Sequence, residues 1–279
     1  MVQATEKTVL EKRELLVSLI KKMETLIVAY SGGVDSAFLA AIGNEVLGQK
    51  SVAVIAASPS LAPTELEEAT KLAGDLNLNF KIVNTREVER SDYQANNPDR
   101  CFFCKDELYS HLMKHAEEEG IENVSNGTNV DDLGDYRPGL EAAKQYGVRS
   151  PLVEAGLTKN EIRHLSQEMG LPTWDKPAQA CLSSRIPYGT TVTVEALTKI
   201  AKAENYLRKK GLKQLRVRHH DTVARIEVEP QDFAVVMDDR FRSDISQYFK
   251  SIGYAYVTVD LDGFRSGSLN EILADMNKK

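Results

Sequence analysis

The sequence lacks the features of membrane-spanning and secreted proteins. Its 279 residues contain no run of about 18 consecutive apolar residues, which argues against a transmembrane helix. The first 26 residues mix charged and apolar side chains and have neither the apolar core nor the small-residue cleavage site of a signal peptide. We therefore expect a cytoplasmic protein with no membrane partner.

Cysteine is also scarce, and neither sign of charge dominates. Three cysteines are too few for a disulfide-stapled fold, and their odd number points to metal or redox chemistry. The 35 lysines and arginines against 41 aspartates and glutamates give a net charge of -6, which disfavours a broad nucleic-acid-binding surface. We expect no nucleic-acid partner.

Apolar runs of strand length alternate with segments of helical periodicity. Residues 26–30 form one such run after an amphipathic segment at 10–23, and a second run follows at 52–57. This alternation predicts an α/β fold with a doubly wound, mostly parallel sheet. An irregular, proline-containing stretch at 174–188 precedes a second, smaller α/β domain, so the predicted domains are 1–189 and 190–279.

A glycine turn follows the first predicted strand. Residues 31–36 read Ser-Gly-Gly-Val-Asp-Ser and lead into a helix, which is where α/β sheets bind anions. The glycines allow close backbone approach to a phosphate, the helix start offers N–H groups, and Ser31 and Ser36 add hydroxyl donors. Asp35 would repel a phosphate unless a divalent cation such as Mg²⁺ bridges them. The sequence has no Gly-x4-Gly-Lys-Ser/Thr loop and no Gly-x-Gly-x2-Gly turn.

This hexapeptide resembles the pyrophosphate loop of the PP-loop ATP pyrophosphatases, which cleave ATP between its α and β phosphates. Further motifs at 127–132, 135–139, 181–189 and 263–267 resemble the LarE family of ATP-dependent sulfur transferases, over nearly the whole chain. The resemblance implies a PP-loop, Rossmann-like fold. It also implies adenylation of a carboxylate of pyridinium-3,5-biscarboxylic acid mononucleotide and its conversion to a thiocarboxylate, in nickel-pincer nucleotide biosynthesis. The residues alone indicate only ATP-dependent adenylation.

The loop and the resemblance together predict an ATP site and neighbouring catalytic groups. Lys105 is expected to neutralise charge on the adenylate or to polarise the acyl carbonyl. Ser184 and Arg185 are expected to face the same cavity as Cys181, and Asp131 and Asp132 to shape the nucleotide loop through Asx turns. The predicted ATP-binding residues are Ser31, Gly32, Gly33, Val34, Asp35, Ser36, Ala57, Gly127 and Asp131.

The three cysteines are Cys101, Cys104 and Cys181. Three thiolates are one ligand short of filling a 4Fe-4S cubane and one short of a closed zinc site, and two could form a redox pair. Unrelated buried thiols are a fourth reading, and spacing alone does not identify a metal. In family members that sacrifice a cysteine sulfur, the donor stands where this chain has Ala180, whereas the cluster-bearing pattern has cysteines at these three positions. The resemblance therefore implies a reusable sulfur carrier built on a 4Fe-4S cluster.

A predicted hairpin in the second domain gathers arginines. If residues 221–222 form a two-residue turn, Arg218 pairs with Arg225 and Arg216 with Glu227 across the strands. Directly opposed arginines repel each other, and a phosphate between them would offset that repulsion. The alternative is a solvated charge lattice involving Glu227 and Glu229.

The resemblance implies two ligand sets in this region. Substrate phosphate is expected on Arg216, Arg218 and Arg265. A divalent cation is expected on Glu204, Glu227 and Asp232, of which Asp232 aligns only across a gap. The expected partners are a small-molecule nucleotide substrate, a sulfide or sulfur donor, and further copies of the chain, since the resemblance implies a homo-oligomer, a hexamer.

Three other functions are weighed against sulfur transfer. A tRNA-thiolating PP-loop enzyme is disfavoured by the net charge and by the lack of zinc-ribbon cysteine pairs. An amidotransferase-type synthetase is disfavoured because there is no glutaminase domain. A non-catalytic nucleotide or metal sensor would bind nucleotide without releasing pyrophosphate, and fold analogy alone does not separate it from an enzyme.

Overall fold

The computed structural model describes residues 8–134, 138–177, 180–265 and 267–271. The motif residues Asp135, Tyr136, Arg137 and Ser266 lie outside this part of the chain. The chain divides into two compact units. The first takes the described residues of 1–58, 65–87 and 101–179, and the second those of 59–64, 88–100 and 180–279. The predicted domain boundary between residues 189 and 190 stays a prediction, and the last segment of the second unit begins at residue 180.

The first unit is built on a parallel sheet. Its strands are β1 (Leu26–Ala29), β2 (Ser51–Ala57), β3 (Asn79–Asn84) and β4 (Asn123–Ser125). They lie in the order β3-β2-β1-β4, with Ile27 opposite Val52 on one side and Val124 on the other. Strand order reverses between β1 and β4, and ligands of such sheets bind at the carboxyl ends of the strands there. The predicted α/β class and parallel sheet are confirmed.

Helices cover both faces of this sheet. Leu26 and Val28 contribute to one core cluster, with α1, α2, α3 and α8, while Ile27 belongs to another, with α5 and α6. Burial on both faces is why these strands are uninterrupted apolar runs rather than alternating ones. The helices of the first unit are α1 (Val9–Met23), α2 (Val34–Leu47), α3 (Pro63–Asp75), α5 (Arg100–Glu119), α6 (Pro138–Gln145), α7 (Pro151–Glu154) and α8 (Lys159–Glu168), whereas α4 (Ser91–Gln94) belongs to the second unit.

Helix α5 carries two of the three cysteines. It begins at Arg100, so that Cys101 and Cys104 lie in its first two turns. A turn that contains Asn97 followed by proline leads into it. The N–H of Arg100 donates to the carbonyl of Asn97 at 2.9 Å.

The second unit contains a three-stranded sheet. Strand β5 (Leu215–His220) pairs antiparallel with β6 (Val223–Val228), which pairs parallel with β7 (Tyr256–Val259). Asp221 adopts a positive φ of 52° in the tight turn between β5 and β6. The predicted register is confirmed, with Arg218 opposite Arg225 and Arg216 opposite Glu227. The helices are α9 (Val194–Lys209), α10 (Phe233–Met237) and α11 (Asp239–Ser251).

None of the helices within the described residues combines the length and the apolar composition that crossing a membrane requires. The cytoplasmic location stays a prediction.

Candidate active site

The glycine turn lies at the carboxyl end of β1, as predicted. Gly32 has a φ of +71°, and a Cβ on it would lie 2.7 Å from the Cβ of Ala69 in α3. Both the backbone conformation and the close approach therefore require glycine here. The hydroxyls of Ser31 and Ser36 are 3.1 Å apart, and Ser36 Oγ also donates to the carbonyl of Gly33. These bonds hold the turn in shape.

The start of α2 presents N–H groups to a ligand. Gly33 is its N-cap and, within the described residues, no side chain caps it. By contrast, Thr8 caps α1 and Thr158 caps α8 through their hydroxyl oxygens. The uncapped start is the arrangement with which α/β proteins bind phosphate, because the N–H groups and the helix dipole both favour an anion.

The loop after β4 closes against this helix start. A Cβ on Gly127 would lie 2.8 Å from the backbone nitrogen of Ser36, so only glycine allows the two backbones to approach. Ala57 is the last residue of β2 and is half-buried at the same edge of the sheet. The structure thus brings together the predicted ATP-binding residues at the strand-order reversal. Their contact with ATP stays a prediction.

Sequence reasoning missed a lysine that contacts the loop. Lys159, the first residue of α8, forms an ion pair with Asp35 through its ammonium group, and Asn129 Nδ2 donates to the other oxygen of Asp35 at 3.3 Å. Asp131 accepts the backbone N–H of Lys159 at 2.7 Å, and Asp132 accepts that of Asn129 at 3.0 Å. The two aspartates thus hold the loop, but not through Asx turns of their own, since the Asx-type bond here is accepted by Asn129 Oδ1 from the N–H of Asp131 at 2.9 Å.

Cys101 and Cys104 are three residues apart on α5 and therefore share a helix face. Cys101 is exposed and Cys104 is half-buried. Lys105 packs against α6, since a Cβ on Gly139 would lie 2.8 Å from its Cγ. Within the described residues, no three or more His, Cys, Asp or Glu side chains are arranged to hold a metal ion. The iron-sulfur cluster stays a prediction.

In the second unit, Cys181 is the N-cap of a short 3-10 helix, Leu182–Arg185. Its carbonyl accepts hydrogen bonds from Ser184 Oγ and from Arg185 Nη1, both at 2.8 Å. Ser184 and Arg185 therefore fix the backbone at the cysteine, which is half-buried.

A buried network anchors the loop that carries Cys181. Tyr93 OH and Ser183 Oγ are 2.6 Å apart, and Arg100 donates to the carbonyl of Ser183 at 3.0 Å. Asn96 Nδ2 donates to the carbonyls of three residues in the segment that follows, at 2.8 to 3.3 Å. No motif marks Tyr93, Asn96 or Arg100 in the sequence. Asn96, whose φ is +52°, and the other three side chains are all nearly inaccessible to solvent.

Glu204 is fully buried between two arginines. Its carboxylate accepts from Arg185 Nε at 2.8 Å, from Arg208 Nη2 at 2.8 Å and from the backbone N–H of Val217 at 3.1 Å. Burial alone would raise the pKa of Glu204, but the two guanidinium groups outweigh it and hold the pKa below its usual range.

Glu227 is likewise engaged by arginines. Arg218 binds it through Nε and Nη2, both at 2.9 Å, and Arg225 Nη2 lies at 3.2 Å. The anion between the opposed arginines is thus Glu227 itself, and it is buried rather than part of a solvated lattice. Among the described residues, Glu204, Glu227 and Asp232 do not meet in a metal-holding group. Their role as cation ligands stays a prediction.

Arg216 differs from its neighbours in this cluster. Within the described residues Arg216 donates to the carbonyl of Leu215 at 2.8 Å and lies over the ring of Phe264 at 5.0 Å, but it forms no hydrogen bond with a carboxylate. Burial, together with repulsion from Arg185, lowers the pKa of Arg216 to about 10. Arg265, by contrast, pairs with Glu271 at 3.1 Å. Arg216 is half-buried, and Glu204 only partly offsets the repulsion from the neighbouring arginines, so the guanidinium is suited to bind an anionic ligand.

Comparison with known proteins places the chain among nucleotide-using enzymes. A family model described as NAD synthase matches residues 11–113. The pyridinium-3,5-bisthiocarboxylic acid mononucleotide synthase of Lactiplantibacillus plantarum is 38% identical over 270 residues, covering 95% of this chain and 96% of that protein. An uncharacterized protein of Synechocystis sp. is 46% identical over 262 residues, 94% and 98% of the two chains. The tRNA-specific 2-thiouridylase MnmA of Rickettsia africae is 28% identical over 200 residues, covering 58% and 54%.

The match to the Lactiplantibacillus synthase extends over nearly all of both chains, whereas the match to the thiouridylase covers little more than half of each. Together with the pyrophosphate-type loop at the strand-order reversal, it shows that the chain belongs to the LarE family of PP-loop, ATP-dependent sulfur transferases.

Proposed function

We propose that the protein adenylates a carboxylate of pyridinium-3,5-biscarboxylic acid mononucleotide with ATP and then converts the acyl adenylate to a thiocarboxylate. The observation that carries the proposal is the uncapped start of α2 after the Ser31 to Ser36 turn, in a chain that aligns end to end with a synthase of the bisthiocarboxylic acid product. An uncapped helix start at this edge of the sheet binds phosphate groups.

Magnesium is proposed to accompany ATP. Mg²⁺ on nucleotides is usually held by one or two carboxylates together with phosphate oxygens. Asp35 fits this pattern, because its carboxylate is at the start of α2 and its side chain is 20% exposed. A bound cation there would neutralise charge on the departing pyrophosphate, while the N–H groups of the loop orient the phosphates.

Substrate phosphate is proposed to bind at Arg216. This guanidinium is half-buried, is repelled by Arg185 and Arg218, and forms no hydrogen bond with a carboxylate among the described residues. A phosphate would supply the missing negative charge and accept two parallel hydrogen bonds from the fork of the side chain. Arg218 and Arg265 are proposed as further contacts, although both are already paired with carboxylates.

Sulfur is proposed to pass through the three cysteines as ligands of a 4Fe-4S cluster. Two points support this proposal. Three thiolates leave one iron without a protein ligand, and the family resemblance implies that Ala180 stands where sacrificial members carry the donor cysteine. Iron and acid-labile sulfide of anaerobically prepared protein should each be about four per chain, and both should be lost in Cys181→Ala. Stoichiometric zinc, or dehydroalanine formed once per turnover, would overturn the cluster.

The activity is tested by supplying ATP, Mg²⁺, sulfide and the biscarboxylic acid mononucleotide, and by measuring pyrophosphate and the thiocarboxylate. We expect both products only when all components are present. Nucleotide binding without pyrophosphate release would identify a sensor, and release that depends on tRNA would identify a tRNA-thiolating enzyme. Light scattering would test the homo-oligomer, a hexamer, that the resemblance implies.

Arg216→Met tests the phosphate site. We expect the KM for the mononucleotide to rise at least about tenfold, since a charge-assisted contact is lost, and the KM for ATP to stay unchanged. Arg242→Met is the matched control, because Arg242 is exposed on α11 and pairs only with the surface residue Asp239 among its described contacts. Equal KM values in the two variants would remove Arg216 from the site.

A further inference from the structure

A second lysine contacts the glycine turn, and it contacts the backbone rather than Asp35. Lys176 Nζ donates to the carbonyl of Gly32 at 3.4 Å and pairs with Glu68 of α3 at 3.0 Å. These residues all belong to the first unit, and Lys176 lies 144 positions beyond Gly32, in the irregular stretch after α8. Its side chain is half-buried. This stretch therefore reaches the loop proposed to bind ATP.

The backbone around Lys176 is held from α8. Arg163 donates to the carbonyl of Trp174 at 2.6 Å and to that of Lys176 at 2.8 Å. The N–H of Lys176 donates to the carbonyl of Thr173 at 3.0 Å, which closes a turn. Because these bonds order the backbone, only the side chain of Lys176 has to be ordered for its ammonium to reach the glycine turn.

The peptide bond that Lys176 contacts lies between two glycines. Gly32 has a φ of +71°, whereas Gly33 has a φ of -81°. Glycine adopts positive and negative φ about equally well, so this peptide can rotate at a lower cost than one between other residues. In the structure the N–H of Gly33 is directed to Ser31 Oγ at 3.4 Å, one of the hydroxyls expected to bind phosphate. The C=O and N–H of a planar trans peptide point in opposite directions, so a bond that holds the carbonyl of Gly32 also holds this N–H.

We propose that Lys176 is a positioning residue for the glycine turn. By donating to the carbonyl of Gly32, it keeps the N–H of Gly33 directed at the pyrophosphate portion of ATP, and it does not itself bind the phosphates. Glu68 supports this division, because its carboxylate orients the ammonium and would repel a phosphate placed there. The inference rests on the proposed use of ATP at this turn.

The test compares Lys176→Met with Lys71→Met by calorimetric titration with inorganic pyrophosphate. Lys71 is the matched control, because it is exposed on α3 one turn beyond Glu68 and forms no contact with the glycine turn among the described residues. We expect Lys176→Met to weaken pyrophosphate binding about tenfold, as for loss of a hydrogen bond from a charged group, and Lys71→Met to change it less than about twofold. Lys176→Arg should restore most of the affinity, since a guanidinium also donates to a carbonyl and a carboxylate.

Glu68→Met separates positioning from phosphate binding by the sign of its effect. If Lys176 bound phosphate directly, removal of Glu68 would free the ammonium and strengthen pyrophosphate binding. If Lys176 positions the turn, the ammonium loses the carboxylate that orients it, and binding should weaken about two- to fivefold. The titration is made at about 0.5 M salt, where the Debye length is about 4 Å and long-range effects of the removed charge are screened. Glu68 is exposed, so this variant should fold, and stronger binding in it would overturn the inference.

Trp174 gives a readout of the stretch itself. It is the one tryptophan of the sequence and is exposed, so quenching of its emission by acrylamide measures whether the stretch stays in place. Unchanged pyrophosphate affinity in Lys176→Met, with or without increased quenching, would mean that Lys176 only fastens the stretch to α3 and would overturn the inference. If the wild-type protein bound neither ATP nor pyrophosphate, the proposed function would fail as well, so the two failures are distinguishable.

Discussion

Replacing Glu204 by glutamine should strongly destabilise the protein. Glu204 accepts hydrogen bonds from Arg185, Arg208 and the backbone of Val217, and its side chain is inaccessible to solvent. Arg208 can turn toward water, because it is 28% exposed, but Arg185 is 1% exposed and would be left as a buried unpaired charge. Breaking a buried ion pair in this way costs about 3–5 kcal/mol of unfolding free energy. A typical domain has only about 5–15 kcal/mol.

Urea unfolding followed by circular dichroism measures the loss. Glu195→Gln is the control, because Glu195 is on the same helix and pairs with Lys199, but its side chain is 77% exposed. We expect almost no change there. A combined Arg185→Met and Glu204→Met variant should recover part of the loss, since it removes the unpaired charge together with its partner.

The stabilisation by Glu204 should also depend on pH. The pKa of Glu204 is lowered in the folded protein, so the stability it contributes is present above the unfolded carboxyl pKa of about 4.3 and is lost as the pH falls through the folded value. The gap between wild type and Glu204→Gln should thus be constant from about pH 7 to 5 and narrow below about pH 4. A loss no greater than that of Glu195→Gln would refute the counter-ion role. The counter-ion role would also be refuted if a chelator lowered the unfolding free energy of the wild-type protein by the same amount, because Glu204 would then be a metal ligand.

Two further substitutions probe the loops. Gly127→Ala should weaken ATP binding at least about tenfold in a titration, because the added Cβ meets the backbone of Ser36, whereas Gly134→Ala, whose Cβ meets no described atom within 4 Å, should not. Asn96→Ala should cost about 2 kcal/mol or more of unfolding free energy in urea, since it leaves buried carbonyls of the Cys181 loop without their donor. Asn96→Gly allows the positive φ but removes the hydrogen bonds of the side chain. If this variant were as stable as the wild type, the hydrogen-bond explanation would be contradicted.

Local patterns predicted the strands and one register. The run at residues 26–30 predicts a strand buried on both faces because no polar side chain interrupts it, and β1 has this environment. The hairpin register followed from the two residues of its turn, since a turn of that length leaves one pairing for Arg218 and Arg225. Both inferences use residues close together in the chain.

Contacts between distant side chains could not be predicted in this way. Lys159 reads as a surface lysine at a capped helix start, and nothing within several residues of it indicates Asp35 as its partner. The resemblance suggested Glu204 as a metal ligand, yet its burial against Arg185 depends on how α9 packs beside the loop of Cys181. Periodicity determines which face of an element is buried, but not which charged group meets which.

The two units handle charge in opposite ways. In the first, Lys159 and Asp35 remain 30% and 20% exposed, so an anionic ligand can replace one partner at small desolvation cost. In the second, Arg185 and Glu204 are 1% and 0% exposed, and replacing either partner by a ligand would leave the other as an unpaired charge in the interior. Ligand anions are therefore expected where a cation has an exchangeable partner or, as at Arg216, no described carboxylate partner. The buried pairs leave that guanidinium available to a ligand, because Glu204 and Glu227 are already hydrogen-bonded to neighbouring arginines.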